Sequence, residues 1–158
     1  MINELIRLEN SDNDIFITIC EWNYNWWGAV NGKCYEEVEY SLKHSLCSGS
    51  RLPQTFVAMA DGVPAGMYQL SMRDDLDTRP DIYPWLINVY VDEKFRGHSI
   101  CRDMMNTVPE KAGEAGLTEL YLYTNHIGLY EKFGWQLVEE IPTFKKDTSA
   151  QRLYKIEL

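Results

Sequence analysis

The chain has 158 residues, 45% of them hydrophobic and 13% aromatic, enough for one domain built around a substantial core. A formal charge of −9 excludes a general nucleic-acid binder, which needs a basic face for phosphate contacts. The same charge is compatible with cationic amine ligands, but net charge speaks mainly to solubility, which alone explains it.

MINELIRLEN carries Glu4 and Arg7 where a signal peptide would be apolar. No run approaches the ~20 apolar residues of a membrane span, so no membrane partner is expected. Cys20, Cys34, Cys47 and Cys101 form no CxxC pair and fall inside predicted elements. They read as small buried hydrophobes in a reducing compartment, which places the protein in the cytoplasm. Cys101 and His98 lack the two further ligands a zinc ion needs, so no metal is expected.

Leu5, Ile6 and Leu8 predict a first strand, ended by the polar run Glu9 to Asp12. From Asp14 the spacing turns helical, with Ile15, Ile19, Trp22 and Trp26 on one face, and Phe16, Cys20 and Trp27 beside it. Gly28 is placed to end this helix. Its tryptophans read as core, or as one or two indoles lining an acceptor pocket for a cationic amine. After Asn31-Gly32, a second helix follows from Tyr35, Val38, Leu42 and Leu46, closing near Gly49. Glu36, Glu37 and Glu39 form its solvated face. The run Thr55 to Met72 contains two strands joined by Asp61-Gly62, a hairpin signal because both residues tolerate positive φ. Gly66 within the second strand predicts a bulge or a close backbone approach. In the polar loop Arg73 to Pro80, Asp74, Asp75 and Asp77 are either solvated and paired or ready to take an amine's charge or proton.

The stretch Ile87–Met105 organises the rest. Ile87, Val89 and Val91 alternate with Asn88 and Tyr90 as a strand, and Ile100, Met104, Val108 and Ala112 then repeat at helix spacing. This helix runs from about Ser99 to Ala115, with a kink or break expected at Pro109. Arg96-Gly97-His98-Ser99 therefore sits where a strand hands over to a helix N-terminus. The first N–H groups there lack intrahelical partners and favour an anion, with a phosphate as the natural guest. Gly97 and Ser99 let it approach, and Arg96 adds a cation. Beyond Gly116, Glu119–Thr124 alternates as a strand, and Ile127 to Phe133 reads as a short helix capped by Gly134. Leu137 to Ile141 is a strand, Thr143 to Ala150 a polar loop, and Tyr154, Ile156 and Leu158 mark the last strand.

The order V-x-V, acidic turn, R-G-x-S-I-C and then YTNHIGLYEKFGW resembles the GNAT-type N-acetyltransferases. Their signature of Arg or Gln, two residues, Gly, one residue, then Gly or Ala falls on Arg96, Ser99 and Cys101. Ser99 and Cys101 thus stand where the family has small glycine-type residues. The resemblance implies a single α/β (α+β) domain over 1–158 in the order β-αα-βββ-α-β-α-ββ. Its mixed sheet would have six to seven strands, with about four helices.

It further implies acetyl-CoA as cosubstrate, its diphosphate on the main-chain N–H groups of Arg96, Gly97, His98, Ser99, Ile100 and Cys101. The pantetheine arm would pair with Val89, Tyr90 and Val91, and an N–H near Val89 would face the thioester oxygen. In the family this strand splays from the next, here Leu120 to Thr124, and the thioester enters the gap. Tyr130 in LYEKFGW matches the tyrosine that protonates the leaving sulfur. Asn125 is a candidate cofactor contact, because Tyr123 fills the family's usual Asn position. Trp85 fills the position of the family's Glu base. Proton removal is left between Asp74, Asp75, Asp77, His126, a water relay near Asn88, and solvent. The activity implied is direct acetyl transfer to a primary amine of a small molecule. The alternatives are a non-catalytic acyl-CoA-binding or regulatory domain, or an interaction module whose aromatic helix forms a homodimer.

Overall fold

The computed structural model describes residues 1–46, 49, 51–74, 79–141 and 150–158. Their strands form one mixed sheet in the order β1-β2-β3-β4-β5-β7-β6. These are β1 (Glu4–Leu8), β2 (Gln54–Ala60), β3 (Val63–Ser71), β4 (Trp85–Val91), β5 (Glu119–Thr124), β6 (Gln136–Ile141) and β7 (Gln151–Glu157). All neighbours are antiparallel except β4 and β5. The α-helices are α1 (Asp14–Asn23), α2 (Tyr35–Lys43) and α3 (Ile100–Glu114), so the described residues hold three where about four were expected. The fourth, expected over Ile127 to Phe133, contracts to a 3-10 turn at Tyr130–Phe133.

The period of two in β2 explains the layering. Phe56, Ala58 and Ala60 face α3 with Met104, Met105, Val108 and Ala112, whereas Val57 and Met59 face α1 and α2 with Phe16, Ile19, Val38 and Leu42. The sheet is thus sandwiched between helices, and every residue of β2 is buried. No helix among the described residues is long and apolar enough to cross a membrane.

Two local expectations change. The first helix does not stop at Gly28 but passes through a π turn (Tyr24–Gly28) and a 3-10 turn (Ala29–Asn31) to Gly32, at φ 73°. Gly28 is small because a Cβ there would lie 2.7 Å from Val38 Cγ2, where the helix end presses on α2. Helix α3 continues through Pro109, held by its buried face against the sheet. The last strand begins at Gln151, directly after the expected loop's end at Ala150, with Arg152 opposite Thr124 of β5 and Glu140 of β6.

Gly66 satisfies both of its expectations. The register slips from Ala58↔Gly66 to Met59↔Pro64, leaving Ala65 as a bulge. A Cβ at Gly66 would stand 2.8 Å from the Tyr90 carbonyl oxygen and 3.0 Å from Met104 Sδ. Gly66→Ala is therefore expected to lower stability by about 2 kcal/mol, read as a lower urea midpoint with unchanged slope.

Candidate active site

The parallel pair β4/β5 is the sheet's opening. Its register is a single position, Trp85↔Tyr121, reinforced by the Tyr121 N–H donating to the Pro84 carbonyl at 2.9 Å. Beyond it Leu86, Ile87, Asn88 and Val89 of β4 face Leu122, Tyr123 and Thr124 of β5 across a cleft of about 800 Å³. Polar main chain on both sides is thereby released from the ladder, a state a native sheet tolerates only where something else pairs with it. Strand β4 is bulged at the same level. Met67 pairs with Tyr90 and Gln69 with Ile87, so Asn88 and Val89 together oppose Tyr68. Asn88 takes the turn of the bulge at φ 50°.

At the end of β4 the chain enters a 3-10 turn, Glu93–Phe95, then Gly97 at φ 80° and Ser99 at φ 67°, before α3 starts. Of the donors expected to hold a diphosphate, two are taken by the turn. The Arg96 N–H donates to the Glu93 carbonyl at 3.3 Å and the His98 N–H to the Phe95 carbonyl at 3.3 Å. Among the described residues the N–H groups of Gly97, Ser99, Ile100, Cys101 and Arg102 have no hydrogen-bond partner, the first helical bond being Asp103 N–H to Ser99 O. The set of free donors is therefore shifted by one residue toward α3, and Ile100 contributes only main chain because its side chain is buried.

Ser99 holds a left-handed conformation that suits glycine, with no side-chain cap as compensation. Ser99→Gly is expected to raise stability by about 0.5–1 kcal/mol in urea melts, because the relieved strain exceeds glycine's entropy cost.

The Arg96 guanidinium does not stand over this cradle. Its Nε donates to the Val91 carbonyl at 3.2 Å, Nη1 meets Glu93 at 3.3 Å, and the group lies 5.9 Å from the Tyr90 ring centroid. Tyr90 is flanked on its other sides by Trp22 at 5.3 Å and Trp26 at 5.5 Å. The tryptophans divide accordingly: Trp22 is core, while Trp26 and Trp27 line the cleft. Trp27 is clamped by its indole N–H donating to buried Asn23 Oδ1 at 2.9 Å.

Tyr130 lines the cleft from the turn after β5. Its ring packs edge-on to Trp135 and tilted on Tyr154, both at 6.3 Å. The hydroxyl has no hydrogen-bond partner among the described residues, yet it is not sealed from solvent. Burial, together with the Cys101 thiol beside it, pushes its pKa well above the usual phenol value, so it stays protonated at neutral pH. Burial also pushes the Cys101 thiol up, leaving it a packing group rather than a nucleophile.

Asn125, His126 and Asp74 line the same cleft, and the His126 N–H donates to Thr124 Oγ1 at 3.1 Å. Asp75 and Asp77 lie outside the described residues. Trp85 is buried, its indole N–H donating to the Ile82 carbonyl at 2.8 Å, and takes no part in the cleft's chemistry. Sequence reasoning missed the polar residues behind Asn88: Gln69, Ser45 and Thr55 are buried and hydrogen-bonded to one another. Scattered over two strands and a helix end, they carry no spacing signal.

Residues 16–135 match the family model described as Acetyltransferase (GNAT) family. No curated protein sequence matches the chain. Among solved structures, a GNAT family acetyltransferase from Elizabethkingia anophelis with acetyl-CoA bound superposes with TM-score 0.64 at 16% identity, covering 98% of this chain and 97% of that one. Aminoglycoside 6'-acetyltransferase type Ii superposes with TM-score 0.74 at 12% identity, covering 98% and 96%. An aminoglycoside 6'-N-acetyltransferase complexed with coenzyme A gives TM-score 0.69 at 12% identity over the same shares. At such identities the likeness establishes the fold.

Proposed function

The chain belongs to the GNAT acetyltransferase family, and from that premise we propose that it moves an acetyl group from acetyl-CoA directly to a primary amine of a small molecule in the cytoplasm. The observation that carries this reading is the splayed β4/β5 pair, which opens bulged main chain between an unpartnered N–H cradle and a buried phenol. Neighbours of the same fold hold acetyl-CoA or coenzyme A, and two are named for an amine-bearing small molecule.

Acetyl-CoA supplies an activated thioester. Gly97, Ser99, Ile100, Cys101 and Arg102 offer five N–H groups at the positive end of α3, enough to bind a diphosphate. Val89, Tyr90 and Val91 present an open strand edge to amide groups, as in strand addition. At the bulge, where Val89 shares with Asn88 the place opposite Tyr68, the Val89 N–H is suited to steady charge on a carbonyl oxygen. The amine nitrogen bonds to the acetyl carbon as the carbon–sulfur bond breaks, and Tyr130 gives its proton to the sulfur. The nitrogen's surplus proton leaves through the wet, polar end of the cleft, where Asp74 and His126 lie. Asn125 contacts the bound cosubstrate from the same side.

Release of free thiol from acetyl-CoA on adding primary amines tests the proposal. Amine-dependent thiol release supports it. Tight cofactor binding with no release across a broad amine panel would identify a binding domain instead.

A further inference from the structure

We infer that the Asn88 side-chain carbonyl holds the attacking nitrogen, and that Gln69 fixes the direction in which that carbonyl points. This deepens the proposed acyl transfer and rests on it. The polarity of a buried hydrogen-bond chain supplies the direction. Ser45 Oγ donates to the Leu42 carbonyl at 2.6 Å, and Thr55 Oγ1 to the Ser45 carbonyl at 3.1 Å. Each hydroxyl has one proton, so both turn lone pairs toward Gln69. Gln69 Nε2 donates to them at 2.7 and 2.8 Å. Its Oε1 is thereby turned the other way and accepts from Asn88 Nδ2 at 2.6 Å.

With the amide nitrogen committed inward, Asn88 Oδ1 is the free end. It has no hydrogen-bond partner among the described residues and is not sealed off, and Asn88 lines the cleft beside Val89. Ser45, Thr55 and Gln69 are 7%, 0% and 3% exposed, so solvent does not rotate the chain. The positive φ of Asn88 sets the side chain at the bulge, next to the N–H proposed to steady the thioester oxygen. An amide carbonyl takes no proton at neutral pH. It accepts an N–H bond from the neutral amine and leaves the nitrogen lone pair directed at the acetyl carbon. The chain thus selects nucleophiles that carry an N–H.

Hydroxylamine is the probe, because this small N–H nucleophile needs no acceptor pocket. Acetohydroxamate formation is followed with saturating acetyl-CoA, and acetyl-CoA affinity by calorimetry. Asn88→Gly keeps a residue at ease with positive φ while deleting the carbonyl. It should lower the hydroxylamine kcat/KM about 30-fold or more, with acetyl-CoA Kd within about threefold of the parent. Gln69→Leu should lose less, and the double variant no more than Asn88→Gly alone, because Gln69 acts through Asn88. Full activity in Asn88→Gly, or a parallel loss of acetyl-CoA affinity, would overturn the role of Asn88. Additive losses in the double variant would overturn that of Gln69. A parent protein that binds acetyl-CoA but forms no acetohydroxamate above background would instead remove the acyltransferase reading, and the inference with it.

Discussion

Tyr130→Phe is expected to lower kcat for acetyl transfer about 100-fold, with acetyl-CoA affinity within about threefold of the parent. The ring does the packing, against Trp135 and Tyr154, and phenylalanine keeps it. Among the described residues the hydroxyl has no partner whose loss would cost stability. What the substitution removes is a proton held at the cleft in a group that burial keeps un-ionised. A departing thiolate must then find its proton in water. Steady-state kinetics and calorimetry separate the two effects. A kcat unchanged in the phenylalanine variant would assign the sulfur's proton to another donor. Equal losses in kcat and affinity would make Tyr130 a structural contact.

Ser99→Asp should raise the Kd for acetyl-CoA about 100-fold while leaving turnover of S-acetylpantetheine, which lacks the diphosphate, within about twofold. Aspartate tolerates the left-handed conformation at φ 67°, so the turn is retained. The new carboxylate stands at the residue preceding α3, among the N–H groups of Gly97, Ile100, Cys101 and Arg102. There it satisfies the helix dipole itself and repels a second anion. Two like charges about 5 Å apart at an effective dielectric of about 20 cost roughly 3 kcal/mol, which is the 100-fold change. Equal weakening of both thioesters would mean that the turn has been damaged. Unchanged affinity for acetyl-CoA would move the diphosphate elsewhere.

The parts of this molecule that a sequence encodes locally were readable from it. Asp61-Gly62 forces a hairpin because both residues take positive φ, and they do so at 51° and 79°. The helical repeat Ile100, Met104, Val108, Ala112 is the buried face of α3, and the handover before it is an N–H cradle. Misreadings arose where distant contacts decide. Gly28 looks like a terminator but is a packing glycine beneath Val38. Pro109 removes one N–H without ending α3, since Val108 and Ala112 stay fixed against the sheet. Arg96 pairs with Glu93 and leans on Tyr90, contacts that the R-G-x-S-I-C motif does not specify.

The site divides in the same way. Tyr130 and the loop before α3 follow from LYEKFGW and R-G-x-S-I-C: the first lines the opening between β4 and β5, and the second leads into the start of α3. The bulge at Asn88 could not be read, because asparagine in an alternating strand looks like an outward polar residue. Its conformation depends on Gln69 across the β3 ladder, and Gln69 depends on Ser45 at the end of α2. Such a chain joins residues far apart in sequence and exists only once the sheet has formed.

A crystal structure of the protein grown with acetyl-CoA tests the central claim most directly. The diphosphate should rest on the main-chain N–H groups of Gly97 and Ser99 to Arg102, with the thioester between β4 and β5 and its sulfur within hydrogen-bond reach of the Tyr130 hydroxyl. A diphosphate bound away from that turn, or no cosubstrate in the cleft at millimolar concentration, would contradict the account.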